Sequence, residues 1–255
     1  MRVFVLTKEF IVRISLIAAL AVASLLFILY TGDGDTQVLA PKDNIPIYSV
    51  KTNGKQIAIT LDAAWGTDKT TSILEILDKY NIKVTFFVTG MWADKNDAVL
   101  KEIAQHGHEI GNHSYTHRDF ATLSDDEIAK ELKRCSDSIE RITGKRPGLF
   151  RAPYGSWNTH VVDAVCGQQY EFIQWDVDSI DWKGLTSAQI EARIFSRVQS
   201  GSILLFHNDA KYIVEALPPV IEKLLADGYK PVTVTELVGE SLETNQHPNS
   251  RNKKE

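Results

Sequence analysis

Short runs of apolar, β-branched and aromatic residues recur along the chain, separated by helix-like segments, and this alternation constrains the fold more than any other feature. The strand-like runs are 56–61 (QIAITL), 83–88 (KVTFFV), 148–152 (GLFRA), 171–177 (EFIQWDV), 202–206 (SILLF) and 231–235 (PVTVT). Residues 68–80, 93–106, 124–143, 158–167, 186–199 and 212–227 read as helices between them. Start signals support several of these: Thr67 and Asp68 precede the first, SDDE at 124–127 resembles a capping box, and Thr186–Ser187 open a later one. A helix that follows each strand carries the chain back to the end where the strand began, so successive strands pair in parallel with helices outside. Six or seven such units favour a (β/α) barrel of about seven strands over an open sheet, although periodicity alone is compatible with both. In either arrangement chemistry belongs at the C-terminal ends of the strands.

The flanks have a different character. Residues 11–30 (IVRISLIAALAVASLLFILY) are almost wholly apolar, and the uninterrupted part, 14–30, is close to the lower limit of about 17 residues for a spanning helix. Arg2, Lys8 and Arg13 precede it and Asp33 and Asp35 follow, which places the N-terminus in the cytoplasm and the remainder outside. A cleaved signal peptide is the competing reading. Its small-residue site, AVAS, lies inside the apolar run, which favours an uncleaved single-pass membrane anchor over residues 1–30. Residues 31–50 read as a linker, 51–240 as one folded domain and 241–255 as a polar, disordered tail. A net charge of −5 without a clustered basic stretch argues against a nucleic-acid partner. Cys135 and Cys166 are too few for a disulfide scaffold; one bridge in an exported domain and two free thiols both remain open.

Polar residues gather where the apolar runs stop. Asp62 ends the first. After the second run and its helix comes GHEIGNHSYTH (107–117), with His113 and His117; then RAPYG (151–155), DVDSIDW (176–182), and ILLFH ending on His207. Two histidines four apart on a helix or turn can share a Zn²⁺ ion, although such a pair in isolation is more often a surface feature. A catalytic zinc takes a third protein ligand and keeps a position open for water, and Asp62 is the candidate carboxylate. Arg151 in a turn rigidified by Pro153 would keep Asp62 ionised by charge pairing. His207, held by an aspartate of DSID, would be oriented and protonated as a general acid; a neutral core histidine is the plainer alternative.

Together these stretches resemble the polysaccharide deacetylase family, the NodB-homology domain of carbohydrate esterase family 4. HSYTH is similar to its H-S/T-x-x-H metal motif, RAPYG to R-x-P-Y/F-G, DSIDW to D-x-x-D-W, and ILLFH to its last motif. The resemblance runs from about Gln56 to Leu237. It implies a distorted (β/α) barrel and removal of N-acetyl groups from GlcNAc-type polymers, or O-acetyl groups from some polysaccharides, with a divalent metal, commonly zinc. By motif, Asp62 is the expected base, His113 and His117 the metal ligands, and Arg151 the residue that orients the base. The Tyr154 backbone N–H would hold the oxyanion, and His207 would protonate the leaving amine. Asp181, or Asp178, would tune His207, and Trp182 would form a wall for the sugar ring. The departure is in the first motif. Where most of the family reads T-F-D-D-G, this chain has Thr60-Leu61-Asp62-Ala63-Ala64, so the second, metal-binding carboxylate is replaced by Ala63. The D-x-x-W-G form is similar to a sporulation-associated branch of the family. The expected partner is a peptidoglycan or chitin-like glycan, and a non-catalytic glycan-binding role on the same barrel is the alternative.

Overall fold

The computed structural model describes residues 45–244. The expected anchor (1–30), most of the linker and the tail beyond Thr244 lie outside the described residues. Among those described, no helix is long and apolar enough to cross a membrane.

The strands are β1 (Gln56–Ala63), β2 (Thr85–Val88), β3 (Glu109–Asn112), β4 (Leu149–Phe150), β5 (Glu171–Phe172), β6 (Val177–Asp178), β7 (Ile203–His207) and β8 (Lys230–Val232). The helices are α1 (Thr70–Lys79), α2 (Gly90–Lys95), α3 (Asp97–Gln105), α4 (Asp125–Thr143), α5 (Thr159–Gly167), α6 (Ser187–Phe195), α7 (Ile213–Ala226) and α8 (Val234–Thr244). All strand pairs are parallel, in the order β5-β4-β3-β2-β1-β7-β6. β8 takes the β2-side edge of β1 below the start of β2, because Ala58 pairs with both Val232 and Ile203. β5 and β6 end this order yet are consecutive in the chain, separated only by residues 173–176. That short link requires the sheet to curl until its two ends approach. Ile47 and Val50 bridge the same region: Ile47 N–H donates to Phe172 O and Val50 N–H to Gly201 O. The last residues of the expected linker therefore belong to the barrel.

β1 is buried along its whole length, as a central parallel strand with both faces covered must be. Ile57, Ile59, Leu61 and Ala63 pack outward against Ile73, Leu77, Trp92, Leu217 and their neighbours. Ala58 faces inward with Phe87, Ile203 and Val232. By the period-two alternation of a strand, Asp62 then points into the barrel, at its mouth.

Three expectations change. Residues 171–177 form two strands instead of one, because the Asp176 carboxylate accepts from Ile203 N (2.8 Å) and Ser202 Oγ (2.8 Å) where a ladder would continue. β3 lies where no strand was expected. Its Gly111 admits the Phe87 ring so closely that a Cβ there would sit 2.6 Å from it. The run 231–235 is mostly not strand: Thr233 and Glu236 exchange side chain-to-backbone hydrogen bonds (2.9 and 3.3 Å), a capping box that starts α8 and carries it past the expected boundary at 240.

Candidate active site

Asp62 and Arg151 are the buried centre. Arg151 follows β4 and is 0% exposed. One guanidinium nitrogen donates to Asp62 Oδ1 (2.8 Å) and Thr60 Oγ1 (2.8 Å), and the other to Gln174 O (3.1 Å). The guanidinium lies over the Phe87 ring at 4.1 Å. Burial alone would raise the Asp62 pKa; the charge of the Arg151 guanidinium, together with its hydrogen bond, reverses this and holds the carboxyl below its ordinary range. The expected orienting role of Arg151 thus has a direct geometric basis.

His113 and His117 sit in the loop after β3, not on a helix. Ser114 (φ 68°) and His117 (φ 61°) are both left-handed. Glu131 of α4 secures this backbone by accepting from Tyr115 N (2.9 Å), Thr116 N (2.7 Å) and Thr116 Oγ1 (2.8 Å). His113 Nδ1 is 2.9 Å from Arg151 O. A carbonyl only accepts, so Nδ1 carries the proton and a neutral His113 turns the lone pair of Nε2 toward Asp62 Oδ2, 3.5 Å away. Burial favours that neutral form, against the pull of Asp62. The His117 ring meets His113 at 5.0 Å, Trp65 at 4.7 Å and Tyr154 at 4.6 Å. Burial lowers its pKa to about 4.

The two imidazoles are thus neighbours in one loop, their rings 5.0 Å apart, but the metal set does not close. Among the described residues no group of three His, Cys, Asp or Glu side chains is placed to hold a metal. Asp62, the expected third ligand, is turned to Arg151 through Oδ1, and position 63 carries a buried methyl group in the outer core. The usual three-donor catalytic zinc does not fit these residues.

His207 ends β7 directly beside Asp62, its register partner on β1. Its Nδ1 is 2.7 Å from Asp181 Oδ1, and its N–H donates to Asp181 Oδ2 (2.8 Å). Burial alone would lower the His207 pKa; the hydrogen bond and charge of Asp181 outweigh it and raise the value. Asp178, the alternative partner, accepts from Ile180 N (2.8 Å) instead and lines the cleft. Tyr154 lies in the turn after β4 with a left-handed backbone (φ 61°), a conformation that costs a non-glycine residue roughly 1–2 kcal/mol. Tyr154, Trp182, Asp62, His113, His117 and His207 all line one cleft of about 530 Å³. Trp65, Trp175, Asp209 and Lys211 line it too and were not singled out from the sequence. The position of Asp209 two residues after His207, and of Trp65 three after Asp62, was the available signal. No disulfide joins Cys135 and Cys166: Cys135 is buried with its Sγ on Val88 O at 3.3 Å.

Comparison with known proteins places the chain among carbohydrate deacetylases and their relatives. The family model for polysaccharide deacetylase matches residues 49–173. The uncharacterised protein YlxY of Bacillus subtilis is 35% identical over 77% of this chain, which spans 61% of the length of that relative. The peptidoglycan-N-acetylglucosamine deacetylase of Bacillus cereus is 31% identical over 77% of this chain and 73% of its own length. Among solved structures, wild-type BA3943 of Bacillus anthracis, a CE4 family pseudoenzyme, is 38% identical with a TM-score of 0.75, covering 77% of this chain and 70% of that one. A BA3943 mutant with restored enzymatic activity matches with the same TM-score of 0.75. The chain belongs to the polysaccharide deacetylase family.

Proposed function

We propose that this chain removes N-acetyl groups from cell-wall polysaccharide, with the amino sugars of peptidoglycan as its substrate class. The observation that carries the reading is a single cleft faced by a carboxylate held ionised and an imidazole whose proton is held by a buried aspartate. Asp62 would take a proton from the water that attacks the acetyl carbonyl. The Tyr154 N–H would donate to the oxygen that becomes negative. His207 would give its Nε2 proton to the departing amine, while Asp181 balances the imidazolium. His113 and His117 would hold Zn²⁺ only weakly, and none of these steps depends on it. Slow turnover follows.

A second reading is favoured by one specific observation, the loss of the third metal donor at Ala63 in a chain similar to a pseudoenzyme: the cleft would bind glycan without hydrolysing it. Acetate release from peptidoglycan and chitin oligomers, measured beside binding of the same ligands, separates the two. Binding without acetate would overturn the catalytic reading. The apolar segment 11–30 adds that the domain works beside the wall, tethered with the N-terminus cytoplasmic and the domain outside. Protease accessibility of the domain on intact and lysed cells tests that placement. The D-x-x-W-G motif adds a role in sporulation, for which expression confined to spore formation is the test.

A further inference from the structure

Two exposed indoles stand on either side of the acid. Trp65 follows β1 and is 57% exposed, and Trp182 follows β6 and is 60% exposed. β7, which ends on His207, lies between those strands. At the level of the sheet the strands bearing the two indoles are two spacings, roughly 10 Å, apart. The family motif gives Trp182 a role as a sugar wall but leaves Trp65 without one. Large apolar side chains are seldom left in water in such a cluster unless they meet a ligand.

The turn that carries Trp65 is also fixed in place. The carbonyl of Gly66 accepts from Trp92 Nε1 (2.7 Å) and Asn208 Nδ2 (3.0 Å), which ties the turn to α2 and to the segment after β7. Gly66 itself is left-handed (φ +56°), and an added Cβ would come within 3.1 Å of Asp209 Cβ. On one side the indole meets the His117 ring in a T-shaped contact at 4.7 Å. A side chain ordered before binding loses little entropy when a ligand stacks on it. The ligand surface that matches an exposed, fixed indole beside a polar cleft is a pyranose ring. Its C–H face is apolar and its rim is hydroxylated, and Asp209 and Lys211 line the cleft nearby.

The geometry points to Trp65 as a stacking platform for a second sugar ring, adjacent to the ring whose acetyl group faces Asp62 and His207. The site thereby reads a glycan strand, not an isolated amino sugar. This inference rests on the glycan reading above, and its test is chosen to be independent of catalysis. Binding of GlcNAc and of its β-1,4 tetramer is measured by NMR titration for wild type, Trp65→Ala and Trp65→Phe, with thermal melts to verify folding. Wild type is expected to bind the tetramer more tightly than the monosaccharide. Trp65→Ala is expected to lose roughly tenfold in tetramer affinity while its monosaccharide affinity stays within about twofold, and Trp65→Phe to recover most of the loss. Equal losses for both ligands would mean that Trp65 only supports His117, and would overturn the inference. An unchanged tetramer affinity, or wild-type protein that binds neither sugar, would overturn it as well. Length-dependent loss in a protein that releases no acetate would refute the catalytic reading and leave this one standing.

Discussion

Replacing Asp181 by Asn removes one negative charge and alters little else in size. The Asp181 side chain is buried and holds His207 twice, at Nδ1 (2.7 Å) and at the backbone N–H (2.8 Å). Hydrogen bonds to a charged group contribute about 1.5–3 kcal/mol, so removing the charge of Asp181 should lower the His207 pKa. In the wild type burial lowers this pKa but Asp181 raises it above 6.5 overall. The acid form is the one required, so acetate release should decline as pH rises through that raised value. In Asp181→Asn the same decline should begin at correspondingly lower pH, with a loss of about tenfold or more at neutral pH that narrows toward pH 5. The assay is a pH profile of kcat/KM for acetate release, with the His207 ring titrated by NMR. Stability carries the same sign. A folded-state pKa raised above the unfolded one stabilises the fold fully below the unfolded value and loses that contribution as pH rises through the folded value. The variant should therefore lose more Tm at pH 5 than at pH 9. A uniform loss of rate at every pH, with the alkaline limb unmoved, would refute the reasoning and leave Asp181 a merely structural residue.

Further expectations rest on the buried centre. Arg151→Met strands the Asp62 carboxylate, which should destabilise the fold by about 3–5 kcal/mol in urea unfolding at pH 7. Because an unpaired Asp62 would have a raised pKa, the loss should shrink as pH falls, and adding Asp62→Asn should recover part of it; a loss independent of both contradicts the pairing. Ala63→Asp should raise Zn²⁺ affinity at His113 and His117 by roughly tenfold or more by calorimetry. It should also lower the stability of the metal-free protein, since position 63 begins in the outer core. Unchanged Zn²⁺ affinity would show that the third donor was not lost at this position.

The parts of the fold that were legible were those whose burial leaves a compositional trace. β1 and β7 are continuous apolar runs because both faces of a parallel strand are covered. The ends of those runs gave Asp62 and His207, and the motifs gave His113, His117 and Arg151. β3 was hidden because its four residues, EIGN, include a glycine chosen by the Phe87 ring, a tertiary reason invisible locally. α8 was hidden by β-branched residues, although its Thr233–Glu236 capping pair was there to be read. The choice between Asp181 and Asp178 needed the left-handed turn at Ile180 (φ 53°), after which Asp181 faces His207. The pairing of Asp62 Oδ1 with Arg151, which leaves Oδ2 toward His113, depends on strands far apart in the chain and was not legible locally.

The central claim is that Asp62 and His207 together perform hydrolysis in this cleft. Its most direct test is acetate release from N-acetylated peptidoglycan by the full chain beside Asp62→Asn and His207→Gln. Slow, measurable release by the wild type is expected, with a loss of about 10²-fold or more in each variant. Release that persists undiminished in both variants, or wild-type protein that binds the glycan and frees no acetate, would contradict it.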